Sequence, residues 1–438
     1  MLELSIRAGR WSNRKHMSSM KVASVRPWIV LALFAAGVVS PAGVHAQHVQ
    51  GQCAACHRGL ENTGLSEPAV LWAGDVHFAA GLTCTGCHGG DAVAPDAATG
   101  HTGMLARPPR GRVPELCGRC HSNQEFMHRY DPDIRIDQVE AYRTSRHGEL
   151  LAEGDPNVAT CVDCHSTHGI RSAEDTNAPT HPANIPDTCG HCHADDERMA
   201  SYGIPTDQLD EFQTSVHWSV LVDKGDLSAP VCNDCHGNHG ALPPGYASVG
   251  RVCAECHFQV GEYFALSPHD SVFVTAETPG CATCHGNHAI QLADDELLGL
   301  GELSTCGGAG CHTEADEGGK EAAQMLVLIE SLIRAHARGD SILTEAEHAG
   351  MPVDQPRFEL AQVRNAIVSA RARLHMANLD SLQVKIDEGL ALSAAGFAAG
   401  EGAFVELRTR RTGLAVSAVF ILFLILGLLM KIRQLETR

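Results

Sequence analysis

All 18 cysteines of the chain lie between Cys53 and Cys311, and they fall into nine pairs. Eight pairs read C-x-x-C-H: Cys53-Cys56-His57, Cys84-Cys87-His88, Cys117-Cys120-His121, Cys161-Cys164-His165, Cys189-Cys192-His193, Cys232-Cys235-His236, Cys253-Cys256-His257 and Cys281-Cys284-His285. The ninth is longer by two residues, Cys306-Gly-Gly-Ala-Gly-Cys311-His312. Two thiols at this spacing can add across the two vinyl groups of one porphyrin, and the histidine behind them then places an imidazole nitrogen on the iron. Zinc knuckles, redox dithiols and disulfides also use paired cysteines, but none requires His directly after the second Cys. With 26 His in 438 residues, eight of eight by chance is on the order of one in 10 billion. The glycine-rich spacer of the ninth pair can loop out without strain. The spacing therefore predicts nine covalently bound haem c groups.

A six-coordinate haem needs a second axial ligand, and imidazole is a common one. Seventeen histidines lie outside the attachment motifs. Three follow a motif at the offset C-x-x-C-H-x-x-H: His168, His239 and His288. Three more precede a motif in an aromatic…Ser-x-His pattern: His147, His217 and His269. Recurrence at fixed offsets marks these six as distal ligands. His77 and His128 precede other motifs in a similar way, and His375 completes a set of nine. His48, His101, His181 and His191 stand at no repeated offset and remain as alternatives, as do Met104, Met127 and Met376. A histidine three residues past a motif stands too close to reach the far face of its own porphyrin. It would ligate a neighbour, cross-link two haem units and fix their separation.

The belt carrying these motifs looks built from three two-haem units behind an opening section of three haems, in which Val76-His77 is a worn copy of the repeat. The belt is rich in Gly, Pro and Asp, and only 5% of the chain is aromatic, so the polypeptide makes a poor core by itself. The expected fold is a haem-cored, loop-rich cytochrome c with short helices, then an α-helical hairpin or bundle and one C-terminal transmembrane helix. Three helical stripes support the middle part: Met325, Leu328, Ile329, Leu332, Ile333; then Leu360, Val363, Ile367, Ala370, Leu374; then Leu382, Ile386, Leu390, Phe397. Folded as a hairpin, these helices would return the belt to the membrane face.

Residues 1–46 read as a signal peptide, with a basic region, an apolar run from Trp28 to Val39 and Val44-His45-Ala46 before the cut. The domain expectation is a nonahaem domain over 47–314, the helical part over 315–411, a membrane helix over 412–430 and a cytoplasmic tail over 431–438. Thr412 to Met430 is 19 residues without a charge, long enough to span a bilayer. Basic residues flank it on both sides, so the charge rule does not orient it. Haem attachment outside the cytoplasm does, and it puts the belt in the periplasm of a bacterial inner membrane.

Without residues 1–46 the chain keeps 27 Lys+Arg against 51 Asp+Glu, a net of −24. That excludes nucleic acid as a partner and favours a periplasmic redox protein with a basic docking face. The Ser-x-His…C-x-x-C-H-x-x-H units, the helical part and the Arg-Arg…Lys-Ile-Arg anchor together resemble membrane-anchored multihaem cytochromes c of respiratory chains, which occur beside a quinol-oxidising cytochrome b. The stretched ninth motif resembles the C-x4-C-H site of class III cytochromes c. The resemblance implies electron transfer between the quinone pool, through a cytochrome b partner, and periplasmic acceptors. The competing reading is a multihaem oxidoreductase acting on a small nitrogen or sulfur compound at one open-site haem. No C-x-x-C-K occurs, so the lysine-ligated site of pentahaem nitrite reductases is absent. The sequence names no catalytic residue and favours an electron carrier over a catalytic subunit.

Overall fold

The computed structural model of the protein describes residues 52–242 and 252–437. The signal-peptide segment expected over 1–46 lies outside them. Among the described residues there is no strand; the chain is helices and loops.

The belt is a succession of short helices, and its attachment motifs sit on helices of two kinds. Motifs two, four, six and eight occupy the five-residue helices Cys84–His88, Cys161–His165, Cys232–His236 and Cys281–His285. Each starts on the first Cys and stops on the His, because the next residue turns out at positive φ: Gly89 (72°), Ser166 (72°), Gly237 (78°) and Gly286 (74°). Motifs three and five instead end the nine-residue helices Val113–His121 and Ile185–His193. Both carry Pro in the first turn, where its missing N–H has no helical partner to lose. The two kinds alternate, so the unit of the belt is a pair of motifs.

Few belt residues bury apolar surface; one small cluster joins Leu221, Ala229 and Val231. The protein's own hydrophobic core lies after the belt, in three long helices: α1 (Glu317–His348), α2 (Asp354–Arg373) and α3 (Leu379–Glu436). Its centre is Ile329, Leu332, Leu343, Val363, Ala370, Leu382 and Ile386, all fully buried. All but Leu343 come from the helical stripes legible in the sequence. On α3 the inward face carries Gly389, Ser393, Gly396 and Gly400, all buried, and these small residues let Leu332, Leu360 and Ile342 approach its backbone.

The order of contact along this bundle sets its direction. Leu332 meets Gly389, and ten residues further along α1 Ile342 meets Gly400. So α1 and α3 run the same way, with α2 returning between them. The start of α1 and the α2–α3 turn therefore share one end, and the belt is fastened there. Arg371 forks onto Asp295 at 2.9 and 2.6 Å, the Arg373 guanidinium lies over the Tyr263 ring, and Leu298 packs on the bundle core. A hairpin would have brought the belt back beside the apolar segment; three helices do the reverse. From Leu379 to Thr412, α3 covers about 50 Å at 1.5 Å per residue. From Thr412 to Met430 α3 is uncharged and exposed, and the helix is long and apolar enough to cross a membrane.

Candidate haem sites

One backbone bond recurs and sets the spacing of each pair. The residue before a distal-type histidine donates its N–H to a carbonyl two residues past a C-x-x-C-H-x-x-H histidine: Val76 to Ile170 (2.8 Å), Arg146 to Ala241 (3.0 Å) and Val216 to Ile290 (2.8 Å). His77, His147 and His217 lie in the first turn of short helices, each capped by the residue two positions before the histidine. Ser145 accepts from the Gly148 N–H, Ser215 from Trp218, and Asp75 from His77. Caps of this kind satisfy donors that the helix start leaves open.

The result is a set of facing imidazoles. Each of the nine motif histidines has one other histidine ring opposite it: His57–His101, His88–His168, His121–His77, His165–His239, His193–His147, His236–His288, His257–His217, His285–His375 and His312–His269. The centroid separation stays between 6.0 and 6.5 Å while the interplanar angle runs from 6° to 89°. Rings packed directly on one another couple distance to angle; these do not. An imidazole nitrogen lies about 1.1 Å from its centroid and a metal–imidazole bond is about 2.0 Å, so two imidazoles on opposite faces of one metal stand about 6.2 Å apart whatever their rotation.

The alternation of motifs has a counterpart in the pairing. The x-x-H residues His168, His239 and His288 face motif two, four and six, one unit back along the chain each time. His375, in the turn Leu374–Met376 at the far end of the bundle, does the same for motif eight. The residues His77, His147, His217 and His269 face motifs three, five, seven and nine. The opening section thus holds a fourth unit, motifs two and three, plus a lone first motif.

His128 differs from the expectation. Its ring faces no motif histidine among the described residues; it lines an open depression with Ser122, Asn123, Gln124, Glu125 and Arg129. His101 takes the place opposite His57. It is carried there by a loop that Asp91 closes through its N–H to the Gly100 carbonyl at 3.0 Å. At motif two, Asp91 occupies the offset that holds His elsewhere, so no periodic signal pointed to His101. The only cue was that a first haem without a preceding unit must find its ligand locally. Among the described residues His181 and His191 face no motif histidine; His181 is buried and accepts the Ala183 N–H on its Nδ1.

The ninth motif closes like the others. In motif seven the His257 N–H bonds the Cys253 carbonyl at 2.9 Å; in motif nine the His312 N–H bonds the Cys306 carbonyl at 3.1 Å. The two extra residues are taken up in the 3-10 turn Gly308–Gly310, where Gly310 adopts φ 74°.

Haem fits the residues present. None of the 18 cysteines is buried or disulfide-bonded, although Cys is ordinarily among the most buried residue types. Among the described residues no three His, Cys, Asp or Glu side chains gather as a zinc site requires. Burial pushes the imidazoles of His121, His147, His165, His168, His193, His217, His236, His239, His269, His285 and His375 down towards the neutral form that binds metal. Several Nδ1 atoms are already committed as donors, leaving Nε2 free: His57 to Leu65 (3.1 Å), His88 to Leu105 (2.7 Å) and His375 to Ala372 (3.1 Å) carbonyls. His77 and His312 donate to carboxylates, Asp75 at 2.9 Å and Asp316 at 3.0 Å.

The motifs also stand in chain order. Cys117 is in hydrogen-bonding contact with Cys161, Cys189 with Cys232 and Cys253 with Cys281. Proximity of the thiols joins the rest: Cys53 lies near Cys84, Cys117 and Cys120 near Cys87, Cys192 near Cys164, Cys253 near Cys235, and Cys306 and Cys311 near Cys284. Motifs one to nine are therefore joined each to the next.

No family model matches the chain, and no solved structure matches it. A stretch of 224 residues is 24% identical to the multiheme cytochrome MtrA of Shewanella baltica, covering 48% of this chain and 56% of that protein. The chain thus spans little more than half the length of the relative it matches. Together with the attachment motifs, the similarity supports a multihaem c-type cytochrome.

Proposed function

We propose that the protein is a membrane-anchored periplasmic electron conduit. It would bind nine haem c groups through its nine cysteine pairs and carry electrons between the quinone pool, through an inner-membrane cytochrome b partner, and periplasmic acceptors. The observation that carries this reading is the set of nine facing imidazole pairs, each containing one motif histidine. Haem bound in these sites would supply a one-electron iron couple and would be held by the two imidazoles of each pair. An oxidoreductase would need one position open to substrate; pairing at every motif favours the conduit over the nitrogen- or sulfur-compound enzyme.

The chain order of the motifs gives the path two ends. Motifs eight and nine lie at the bundle end and motif one at the other. With Thr412–Met430 in the inner membrane and the preceding residues outside, α3 raises motifs eight and nine about 50 Å along its axis. An electron-donating partner has to reach that height. The acidic surface suits a basic soluble partner at the opposite end.

Intact mass of the purified protein tests the cofactor count: nine haem masses above the apoprotein are expected, with a wholly low-spin spectrum. Eight, or a high-spin component in the native protein, refutes the reading. Truncation after Arg411 should release a soluble, fully loaded cytochrome that chemical reductants reduce but quinol in membranes does not. Retention in the membrane refutes the anchor, and unchanged reduction by quinol refutes the membrane donor.

A further inference from the structure

The four positions two residues before His77, His147, His217 and His269 are equivalent in the repeat, and three of them are serine: Ser145, Ser215 and Ser267. The fourth is Asp75. A serine hydroxyl is sufficient to cap these helices, as Ser145 and Ser215 do at 3.0 and 3.1 Å. Asp75 caps its helix one residue earlier, through the His77 N–H at 2.8 Å, but its second oxygen takes the Ile170 N–H at 2.8 Å and its first also takes the His77 Nδ1 at 2.9 Å. The carboxylate has no solvent exposure. Among the described residues His147, His217 and His269 have no carboxylate bonded to Nδ1.

We propose that Asp75 is a positioning residue that, acting through His77, gives the third haem a lower reduction potential than the fifth and seventh. This rests on the ligation reading above. A carboxylate accepting Nδ1–H makes the opposite imidazole nitrogen a stronger donor, and a stronger donor stabilises the more highly charged ferric iron. Burial sharpens the effect, because a charge without water beside it is poorly screened. The two other carboxylates near ligand Nδ1 atoms are weaker candidates on this ground. The Asp316 side chain opposite His312 is 41% exposed, and Glu211 stands 3.5 Å from His288 and is 42% exposed. Asp75 thus sets the third site of the path below its sister sites, the fifth and seventh.

Potentiometric titration of the full-length protein, followed optically and by electron paramagnetic resonance, tests this in Asp75→Ser and Asp75→Asn. The serine variant reproduces the sister repeats, and the asparagine variant keeps the acceptor oxygen while removing the charge. His77→Ala first identifies the component concerned, as the one haem that turns high-spin. In both Asp75 variants that component should stay low-spin and move upward. At its native midpoint the ferrous-to-ferric ratio should rise at least tenfold, about 59 mV for one electron, with the other eight unmoved. Unchanged potentials, a downward shift, or conversion of that haem to high spin in both variants overturns the role of Asp75 and leaves the ligation intact. A wholly low-spin His77→Ala protein overturns the ligation itself.

Discussion

Replacing His101 and, separately, His128 with alanine sets the proposed partner of the first motif against a histidine that the sequence marks as a distal candidate. In the structure His101 faces His57 at 6.1 Å between centroids, whereas His128 faces no motif histidine among the described residues. Each motif histidine belongs to one pair, so His101→Ala leaves a single iron with one imidazole. About one ninth of the haem should become high-spin, and the reduced protein should bind about one carbon monoxide per chain. The fold should hardly respond. His101 is exposed and its loop is closed by backbone bonds, Asp91 N–H to Gly100 and His101 N–H to Ala97, so the stability change should stay within about 0.5 kcal/mol. His128→Ala should leave spectrum and carbon monoxide binding as in the native protein. The assays are the visible spectrum of the oxidised form and a carbon monoxide titration of the reduced form. A fully low-spin His101→Ala protein, or a high-spin component in His128→Ala, refutes the assignment.

Three other substitutions test the scaffold. His375→Ala should make one haem high-spin and also loosen the bundle from the belt, leaving Arg371–Asp295, Arg373–Tyr263 and the packing of Leu298 as ties; limited proteolysis between 290 and 316 should accelerate. Ser166→Gly should stabilise the protein by about 1 kcal/mol, because Ser166 alone of its four equivalents holds φ 72° without being glycine; the urea midpoint would rise, and a fall would show that the backbone there is unstrained. Gly389→Ala should cost the bundle about 1–3 kcal/mol by overpacking, since the added Cβ would stand 2.5 Å from Leu332 Cδ1 and 3.2 Å from Ala366 Cβ. Thermal melting by circular dichroism checks it, and haem content should not change.

What the sequence determined by itself was local chemistry and periodicity. C-x-x-C-H is read within five residues, because covalent attachment and proximal ligation both use one short helical turn. The stripes of α1, α2 and the first half of α3 are read within one helix, because burial imposes a 3.6-residue period. The offsets of His147, His168, His217, His239, His269 and His288 are legible because the belt repeats. Pairing is another matter. That His168 faces His88, 80 positions earlier, or that His375 reaches His285 from the bundle, depends on how whole units stack. The recurring bond from Val76, Arg146 and Val216 to the next unit decides it. The facing of His101 and His57 escaped because a solitary residue has no period, and His128 stands before a motif without facing one of its histidines among the described residues. The direction of the bundle was likewise undetermined: hydrophobic stripes show which faces are buried, not how many helices share them. Only the close approach of Leu332 to Gly389 and of Ile342 to Gly400 makes α1 and α3 parallel and puts the belt at the end away from Thr412.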